Sequence, residues 1–535
     1  MASDTSSNTS KRESRDLNGS VYLISSDGRV LSLPIPTRSH RDPLNWSARK
    51  RAGAVLALLF YSVTGLVVVQ GPSLMFKPLA IEFTLEETKP FPLTALLSAP
   101  TLFMGFGAFL WIPLTLALGR RPVFLLCTVL LTLSTIWAGI AGSFYQMLAA
   151  TCLQGLAEGF STSTILLMII DLTFIHQRPQ AIAMVWSVVG FITGSIFSLV
   201  PQMTNAGTNW RSFYLIWIIP CSISIVLAFF LFPETYFIRP ALAFDGRIVV
   251  QGATEKVEIY ESWEEVPGGK ELPDTPGQNV WGYTNSELRI WGKTRGGWTS
   301  MFACYPQVFL CLINPLVFWV ALLSALVLAC MLSIGETYAA VLSAPPYSLP
   351  IHVTALVNLA GAVGSLIAWP ASGILISWIS RRLAINNRGV RDAEHYLPAF
   401  ILPVLGAVAS VVLYGLTAEW KWNSIWVYVS YALNSFAFAS LATASTLWIT
   451  EAFPRWAAPA VVVVFGLSYM ASFGLSFSIM PWVQSQGYAG SNIELGLMIL
   501  IVGCIGMPVA FWGKRLRQYI HGKYAFHEEG ALRPH

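Results

Sequence analysis

Residues 52–72 read AGAVLALLFYSVTGLVVVQGP and contain no charged side chain. An α-helix rises about 1.5 Å per residue, so a run of about 20 apolar residues is long enough to cross the hydrocarbon core of a bilayer. Eleven further stretches of similar length and composition follow along the chain. The sequence therefore predicts an all-α membrane protein with twelve transmembrane helices.

The twelve stretches fall into two groups of six, separated by a hydrophilic segment. The predicted spans are 52–72, 92–114, 122–142, 147–171, 180–201, 212–232, 312–338, 352–378, 397–416, 424–449, 457–482 and 490–512. Two equal groups predict two six-helix bundles related as pseudo-repeats, an arrangement typical of secondary transporters. The predicted parts are a polar segment (1–51), an amino-terminal bundle (52–236), a central loop (237–305), a carboxy-terminal bundle (306–513) and a tail (514–535).

Composition and charge agree with the prediction of a membrane protein with many spans. Only 11% of the residues are charged and the mean hydropathy is +0.58, whereas soluble domains carry about 25% charged residues. Of the 33 Lys and Arg, 29 fall on the side of the spans that holds both termini, and four (Lys77, Lys89, Arg211 and Lys421) fall on the other. The positive-inside rule then predicts cytosolic termini and a cytosolic central loop. The glycosylation sequons at Asn8, Asn18 and Asn45 are accordingly expected to stay unmodified.

Several classes of membrane protein find no support in the sequence. Gly292-Lys293-Thr294 resembles part of a phosphate loop, but Glu287 stands where that loop needs a glycine. The seven histidines are scattered and the seven cysteines show no ligand spacing. We therefore predict no enzyme, no nucleotide, no metal and no cofactor. The basic residues sit at membrane edges, so we expect no nucleic-acid partner. A channel stays open as an alternative at this point.

Paired arginines recur at matching places in the two halves. Gly119-Arg120-Arg121 follows span 2, and Ser380-Arg381-Arg382 follows span 8. This repetition supports two homologous halves. Further short motifs occur in order along the chain: Asp42-Pro-Leu-Asn-Trp46, Leu153-Gln154-Gly155, Asp171 through Arg178, Trp210-Arg211, Pro233-Glu234-Thr235-Tyr236 and Asn387-Arg388-Gly389-Val390.

Together these motifs resemble the major facilitator superfamily and, within it, fungal drug/proton-antiporter-like members. The resemblance covers most of the chain and implies the major facilitator fold, with a central cavity lined by spans 1, 4, 7 and 10. Two departures matter. The acid of the loop 2–3 signature is replaced by Leu116, and the proline of the span 5 antiporter motif is replaced by Ser195. The second departure weakens the case for proton antiport, so proton-coupled nutrient uptake stays open beside export.

A polar stripe on span 4 is the main candidate site. Gln154, Glu158 and Thr162 follow each other at intervals of four residues and share one helix face. A carboxylate inside the bilayer is costly and indicates function. We predict that Glu158 faces the cavity and exchanges a proton or binds a cationic or hydrogen-bonding group. The alternative is a structural glutamate bonded to a neighbouring hydroxyl. The remaining candidates for the substrate or proton site are Tyr61, Trp186, Glu336, Asn358, Tyr431 and Asn434.

Charged residues at the cytosolic ends of the spans are candidates for an inner gate of ion pairs. They are Arg120, Arg121, Asp171, Arg178, Arg381, Arg382, Glu451 and Arg455. Static anchoring by positive charge is the rival interpretation.

The expected function is secondary active transport of a small organic molecule by alternating access, most simply proton-coupled efflux of a drug-like compound or secondary metabolite. The alternatives are proton-coupled uptake of a nutrient and a transport-inactive sensor. The expected partners are the substrate, protons and the lipid bilayer, and the chain is expected to act as a monomer in the plasma membrane, with the vacuolar membrane as the alternative.

Overall fold

A computed structural model describes residues 20–22, 32–34, 36, 41–204, 209–237, 248–251, 257–260, 294, 297–387 and 390–523. The sequons at Asn8 and Asn18 and most of the central loop lie outside these residues. Within these described residues, eleven helical segments are long and apolar enough to cross a membrane. The predicted all-α multi-pass fold is confirmed.

The first six spans form the amino-terminal bundle. Their helices are span 1 (Ala48–Leu74), span 2 (Ala95–Leu118), span 3 (Arg120–Gly139), span 4 (Phe144–Leu172), span 5 (Arg178–Met203) and span 6 (Trp210–Leu231). Polar side chains cap the amino-terminal ends of several of these helices. Ser47 accepts a hydrogen bond from the backbone N–H of Lys50, and Ser143 accepts one from Gln146. Such caps satisfy N–H groups that have no partner within the helix. Two short helices, Phe76–Glu82 and Leu85–Thr88, connect spans 1 and 2.

The second half repeats this plan with more irregular helices. Span 7 is Pro315–Ser343, span 8 is Ile351–Asn386, span 9 is Ala393–Trp420 and span 10 is Ile425–Ala452. Span 8 contains a π-helical stretch at Trp369–Ile374, and span 9 opens with a 3-10 turn at Ala393–Phe400. An additional apolar helix, Gly297–Ile313, precedes span 7.

The last helical segment, Pro454–Arg517, supplies two spans. Its 64 residues would extend about 96 Å as one straight helix, roughly three times the hydrocarbon thickness. The backbone leaves the helical region at Gly487, with φ 75° and ψ 175°, a conformation that glycine tolerates. Span 11 therefore ends before Gly487 and span 12 begins after it, which completes the predicted twelve.

The two bundles meet chiefly where span 5 packs on span 8 and span 2 packs on span 11. Glycines allow the close approach. A side chain at Gly194 would lie 2.8 Å from the backbone oxygen of Asn358, and one at Gly190 would meet the hydroxyl of Ser365. We call the side on which span 1 begins and span 12 ends the terminal face, and the opposite side the far face.

Four short strands complete the described structure. Strand β1 (Ser20–Tyr22) pairs antiparallel with β4 (Val390–Asp392), and β2 (Ile248–Gln251) pairs with β3 (Val257–Tyr260). The β1–β4 pair joins the amino-terminal segment to the connection between spans 8 and 9, at the terminal face.

Candidate functional site

Glu158 lies inside the amino-terminal bundle and is completely buried. Its carboxylate packs directly on Gly65 of span 1, where a β-carbon would overlap Oε2. Tyr61 and Cys127 lie within electrostatic reach of it. Neither carboxylate oxygen accepts a hydrogen bond of ordinary geometry within the described part of the chain, although the hydroxyl of Ser161, one turn later on the same helix, interacts with the carboxylate.

The rest of the predicted stripe points to different neighbours. Gln154 Nε2 donates to the backbone oxygen of Ser134 on span 3 at 3.4 Å. Thr162 is buried and its hydroxyl donates to the backbone oxygen of Gly159 at 3.3 Å. Tyr61 donates to the backbone oxygen of Ala157 at 2.7 Å and so ties span 1 to span 4. Gln154 and Glu158 therefore face the packing between spans 1, 3 and 4, whereas Thr162 also interacts with Tyr469 of span 11.

One residue of the opposite bundle comes close to this carboxylate. Tyr469 on span 11 lies within electrostatic reach of Glu158. It packs in a small buried cluster with Val69 of span 1, Met104 of span 2 and Leu328 of span 7. Glu158 thus lies next to the surface along which the bundles meet.

The candidates of the carboxy-terminal bundle form a second polar cluster. Asn358 Nδ2 donates to the hydroxyl of Tyr338 at 3.2 Å, and the rings of Tyr338 and Tyr431 are 5.7 Å apart. Asn434 is fully buried and its Nδ2 lies 2.9 Å from the sulfur of Cys330. This bundle therefore presents amide and phenol groups beside aromatic rings.

Trp186 lies between the bundles. Its ring on span 5 stacks on Phe465 of span 11 at 5.9 Å and meets the edge of Phe438 on span 10 at 5.7 Å. Glu336 is only partly buried on span 7, and none of the contacts described above involves it. The structure thus brings the nine candidates into an amino-terminal group, a carboxy-terminal group and a bridging tryptophan, with Glu336 apart.

An ion pair closes the terminal face between the two bundles. Arg178 Nη1, at the start of span 5, lies 2.7 Å from Oε1 of Glu451, at the end of span 10. Arg391 of β4 approaches the other oxygen of Glu451 at 3.3 Å. All three side chains are at most 5% exposed, and span 10 is buried throughout from Ala439 to Ala452. The described conformation is therefore closed at this face.

Other predicted gate residues make contacts within the amino-terminal bundle. Arg120 lies 3.4 Å from Asp171 at the end of span 4. The backbone N–H groups of Arg120 and Arg121 donate to Glu234 at 2.9 Å and 3.1 Å. A carboxylate at a helix N-terminus is stabilised by the unpaired N–H groups and the helix dipole. Gly119, at φ 98°, makes the turn that brings Glu234 so close.

The second arginine pair takes a different position. Span 8 continues as a helix to Asn386, so Arg381 and Arg382 point outward and are exposed. Arg382 packs over the ring of Trp378 at 4.8 Å. The arginine pair repeated in the sequence therefore does not have the same backbone conformation in the two halves. Neither Arg381 nor Arg382 takes part in the ion pairs described for Glu451. Arg455 lies half-buried in the turn that follows span 10.

Several residues at these sites were not predicted, among them Arg391, Tyr338 and Gly65. Arg391 directly follows the motif Asn387–Val390. That motif identifies the loop in which Arg391 lies but does not predict its ion pair with Glu451. Tyr338 is two residues from Glu336, on another face of span 7. Gly65 carried no signal, because its role depends on how span 1 lies against span 4.

Comparisons with known proteins agree on one family. The sequence profile of the Major Facilitator Superfamily matches residues 53–476. The MFS-type transporter C1271.10c of Schizosaccharomyces pombe is 22% identical, with 94% of this chain and 90% of that protein covered. The multidrug transporter AQR1 of Candida glabrata is 22% identical, over 63% of this chain and 55% of that protein.

A solved structure shows the same fold. The proton:xylose symporter XylE, bound to a bromodeoxyglucose, superposes with a TM-score of 0.56 at 13% identity, covering 91% of this chain and 98% of that chain. With the profile matching most of the sequence, this chain belongs to the Major Facilitator Superfamily and is a transporter rather than an enzyme.

Proposed function

We propose that this transporter exports a small organic molecule, of the drug-like or secondary-metabolite class, in exchange for protons. The observation that carries the coupling is Glu158, a fully buried intramembrane carboxylate without an ordinary hydrogen-bond donor in the described residues, next to the surface where the bundles meet. A carboxylate in such a place is tolerated when protonated and becomes costly when ionised. Its protonation can therefore bias the bundles between two arrangements.

The orientation follows from the charge distribution. We place the terminal face in the cytosol because 29 of the 33 Lys and Arg fall on that side. The Arg178–Glu451 pair is then an inner gate, and the described conformation has this gate closed. We expect the protein at the plasma membrane.

The nature of the substrate is inferred from the carboxy-terminal cluster. Tyr338 and Tyr431 offer ring faces, and Asn358 offers an amide beside them. Rings with a few fixed polar groups suit an amphipathic organic molecule. Trp186 extends this surface toward the amino-terminal bundle.

The direction of transport is supported by similarity to a multidrug transporter and by the resemblance to drug/proton antiporters. Proton-linked uptake is the second candidate. Ser195 stands in place of the antiporter proline, and a proton:xylose symporter shares the fold.

Flux into proteoliposomes separates the two directions. The purified protein is reconstituted, a pH gradient is imposed in either sense, and a panel of amphipathic compounds is tested, with protein-free liposomes as the control for passive partition. An antiporter accumulates solute in the acidic compartment and a symporter in the alkaline one, whichever way the protein is inserted. Solute accumulation on the alkaline side would show that the protein is a symporter, so the proposal of export would give way to uptake. A flux that does not depend on the pH gradient would refute proton coupling.

A further inference from the structure

The segment before span 1 contacts both bundles at the terminal face. Its strand Ser20–Tyr22 pairs antiparallel with Val390–Asp392 of the carboxy-terminal half, with Val21 opposite Arg391. Farther along, the backbone oxygen of Leu33 accepts a hydrogen bond from the N–H of Ile175 at 2.6 Å, and Leu33 is 2% exposed. Ile175 lies between spans 4 and 5, so this second contact is with the amino-terminal half.

The first contact falls on the strand that carries a gate residue. Arg391 pairs with Glu451 at 3.3 Å and lies over the ring of Tyr396 at 5.1 Å. Glu451 in turn pairs with Arg178 across the bundles at 2.7 Å. The amino-terminal strand therefore pairs with the short strand that carries Arg391, one of the two arginines in ion pairs with Glu451.

The second contact falls beside the other cation. Ile175 precedes Arg178 by three residues in the same connection, and the Arg178 N–H bonds back to Phe174. His176 of this connection lies within electrostatic reach of Arg391. The segment thus binds next to both partners of Glu451, one in each bundle.

Strand β4 has three residues, and among the described residues its strand partner is β1. A two-stranded pair this short is marginal in water, so it can form and dissociate. On its other side β4 is held at Asp392, which accepts from Lys514 Nζ at 3.1 Å and from Asn387 Nδ2 at 3.1 Å. Backbone pairing with Val21 is the contact made at the position of Arg391 itself.

We propose that the amino-terminal segment, through Ser20–Tyr22 and Leu33, is an intramolecular strap that docks by strand addition on Val390–Asp392 and favours the conformation closed at the terminal face. It acts by fixing the two loops that present Arg391 and Arg178 to Glu451. Its release would leave the β4 edge unpaired and the gate less well ordered. The strap presupposes two alternating conformations, but it requires neither a particular substrate nor proton coupling.

The test measures the gate directly. Spin labels are attached at Gln177→Cys and Ile385→Cys, which are exposed on opposite bundles at the terminal face, in a Cys504→Ser background because Cys504 is exposed. Val21→Pro disfavours the strand, because proline cannot donate to a ladder and is poorly tolerated inside strands. Val21→Ile keeps a β-branched side chain, which strands prefer, and is the matched control. Val21→Pro should raise the ratio of open to closed distances about tenfold, equivalent to about 1.4 kcal/mol, and Val21→Ile should leave it unchanged.

A cross-link provides the opposite perturbation. Tyr22 and Val390 lie directly opposite each other in the ladder, so a disulfide between Tyr22→Cys and Val390→Cys would hold the strap in place. The disulfide is formed by oxidation before the labels are attached at the two remaining engineered cysteines. The open fraction should then be several-fold lower than in the labelled protein that keeps Tyr22 and Val390. An unchanged distance distribution in Val21→Pro, or in the oxidised cross-linked protein, would overturn the proposal. Neither readout depends on the substrate or on Glu158, so failure here is separate from failure of the proposed function.

Discussion

At the level of single residues, the contact between Glu158 and Gly65 is central to the proposed proton site. The carboxylate occupies the space that a side chain at position 65 would fill. Span 1 can pack against span 4 at this level because Gly65 has no β-carbon. The same contact keeps the carboxylate away from water and close to Tyr61.

Gly65→Ala should therefore destabilise the protein and impair transport. Overpacking of this kind costs about 1–3 kcal/mol. Gly53→Ala on the same helix is the matched control, because its new methyl group would meet Leu231 at an ordinary 3.7 Å. Thermal unfolding of the two purified variants measures the difference. Equal stability would mean that the close contact between Gly65 and Glu158 does not exist.

An ion pair on the far face predicts a pH dependence. Glu82 accepts hydrogen bonds from Arg211 Nη1 at 2.9 Å and from Trp210 Nε1 at 2.7 Å. The hydrogen bond from Arg211 lowers the pKa of Glu82 below its ordinary value of 4.5. A lowered pKa means that the contribution to stability is complete above pH 4.5 and is lost as the pH falls through the lowered value.

The comparison is between wild type and Glu82→Gln. Because the pair is partly exposed, its contribution should be below about 1 kcal/mol. The difference in melting temperature should stay constant from neutral pH to about 4.5 and shrink at lower pH. A difference that disappears already near neutral pH would contradict the assigned direction of the pKa shift.

The sequence identified Glu158 but not its neighbour, for a physical reason. A carboxylate in an apolar helix is conspicuous because its burial is costly. A single glycine among many in a membrane helix is not conspicuous, because its importance depends on how the two helices are aligned along their axes. Gly190 and Gly194 could be predicted as a close-packing face because their spacing of four residues is itself a signal.

At the scale of elements, the Glu451 ion pairs join three segments: spans 5 and 10 and strand β4. Glu451→Arg should impair transport strongly, since removing one partner of a buried pair costs about 3–5 kcal/mol. The double variant Arg178→Glu with Glu451→Arg should recover part of the activity. Recovery should be incomplete because Arg391 then faces a like charge, and adding Arg391→Gln should improve it.

Counterflow of solute in proteoliposomes is the measurement, normalised to the amount of folded protein. Arg515→Glu, an exposed change at the same face, is the control and should have little effect. If the double variant is no better than either single variant, the pair is an anchor rather than a gate.

The same elements show where prediction from sequence stops. Arg178 and Glu451 were predicted because both lie at helix ends on the side rich in positive charge. Arg381 and Arg382 were predicted by analogy with Arg120 and Arg121, but span 8 has no glycine turn there and remains helical to Asn386. Arg391 was missed because its position depends on pairing between β1 and β4, strands separated by most of the chain.

At the scale of the whole molecule, two bundles meet at glycine-lined contacts and are joined at the terminal face by buried charges. The proton-binding candidate lies in one bundle and the aromatic, amide-bearing cluster in the other. The count of spans was predicted because apolar length is a strong signal, and the break at Gly487 falls in the connection that the sequence predicts between spans 11 and 12 (483–489). The alignment of the two bundles was not predictable, because it depends on many small contacts.

Proton coupling through Glu158 is tested by comparing two kinds of solute flux in Glu158→Gln. Glu494→Gln is the matched control, a span 12 carboxylate whose Oε2 accepts from Trp482 at 3.0 Å. Glu158→Gln should lose solute accumulation driven by a pH gradient but retain counterflow without one, while Glu494→Gln should keep both. If Glu158→Gln accumulates as much solute as the wild type, Glu158 is not the coupling residue.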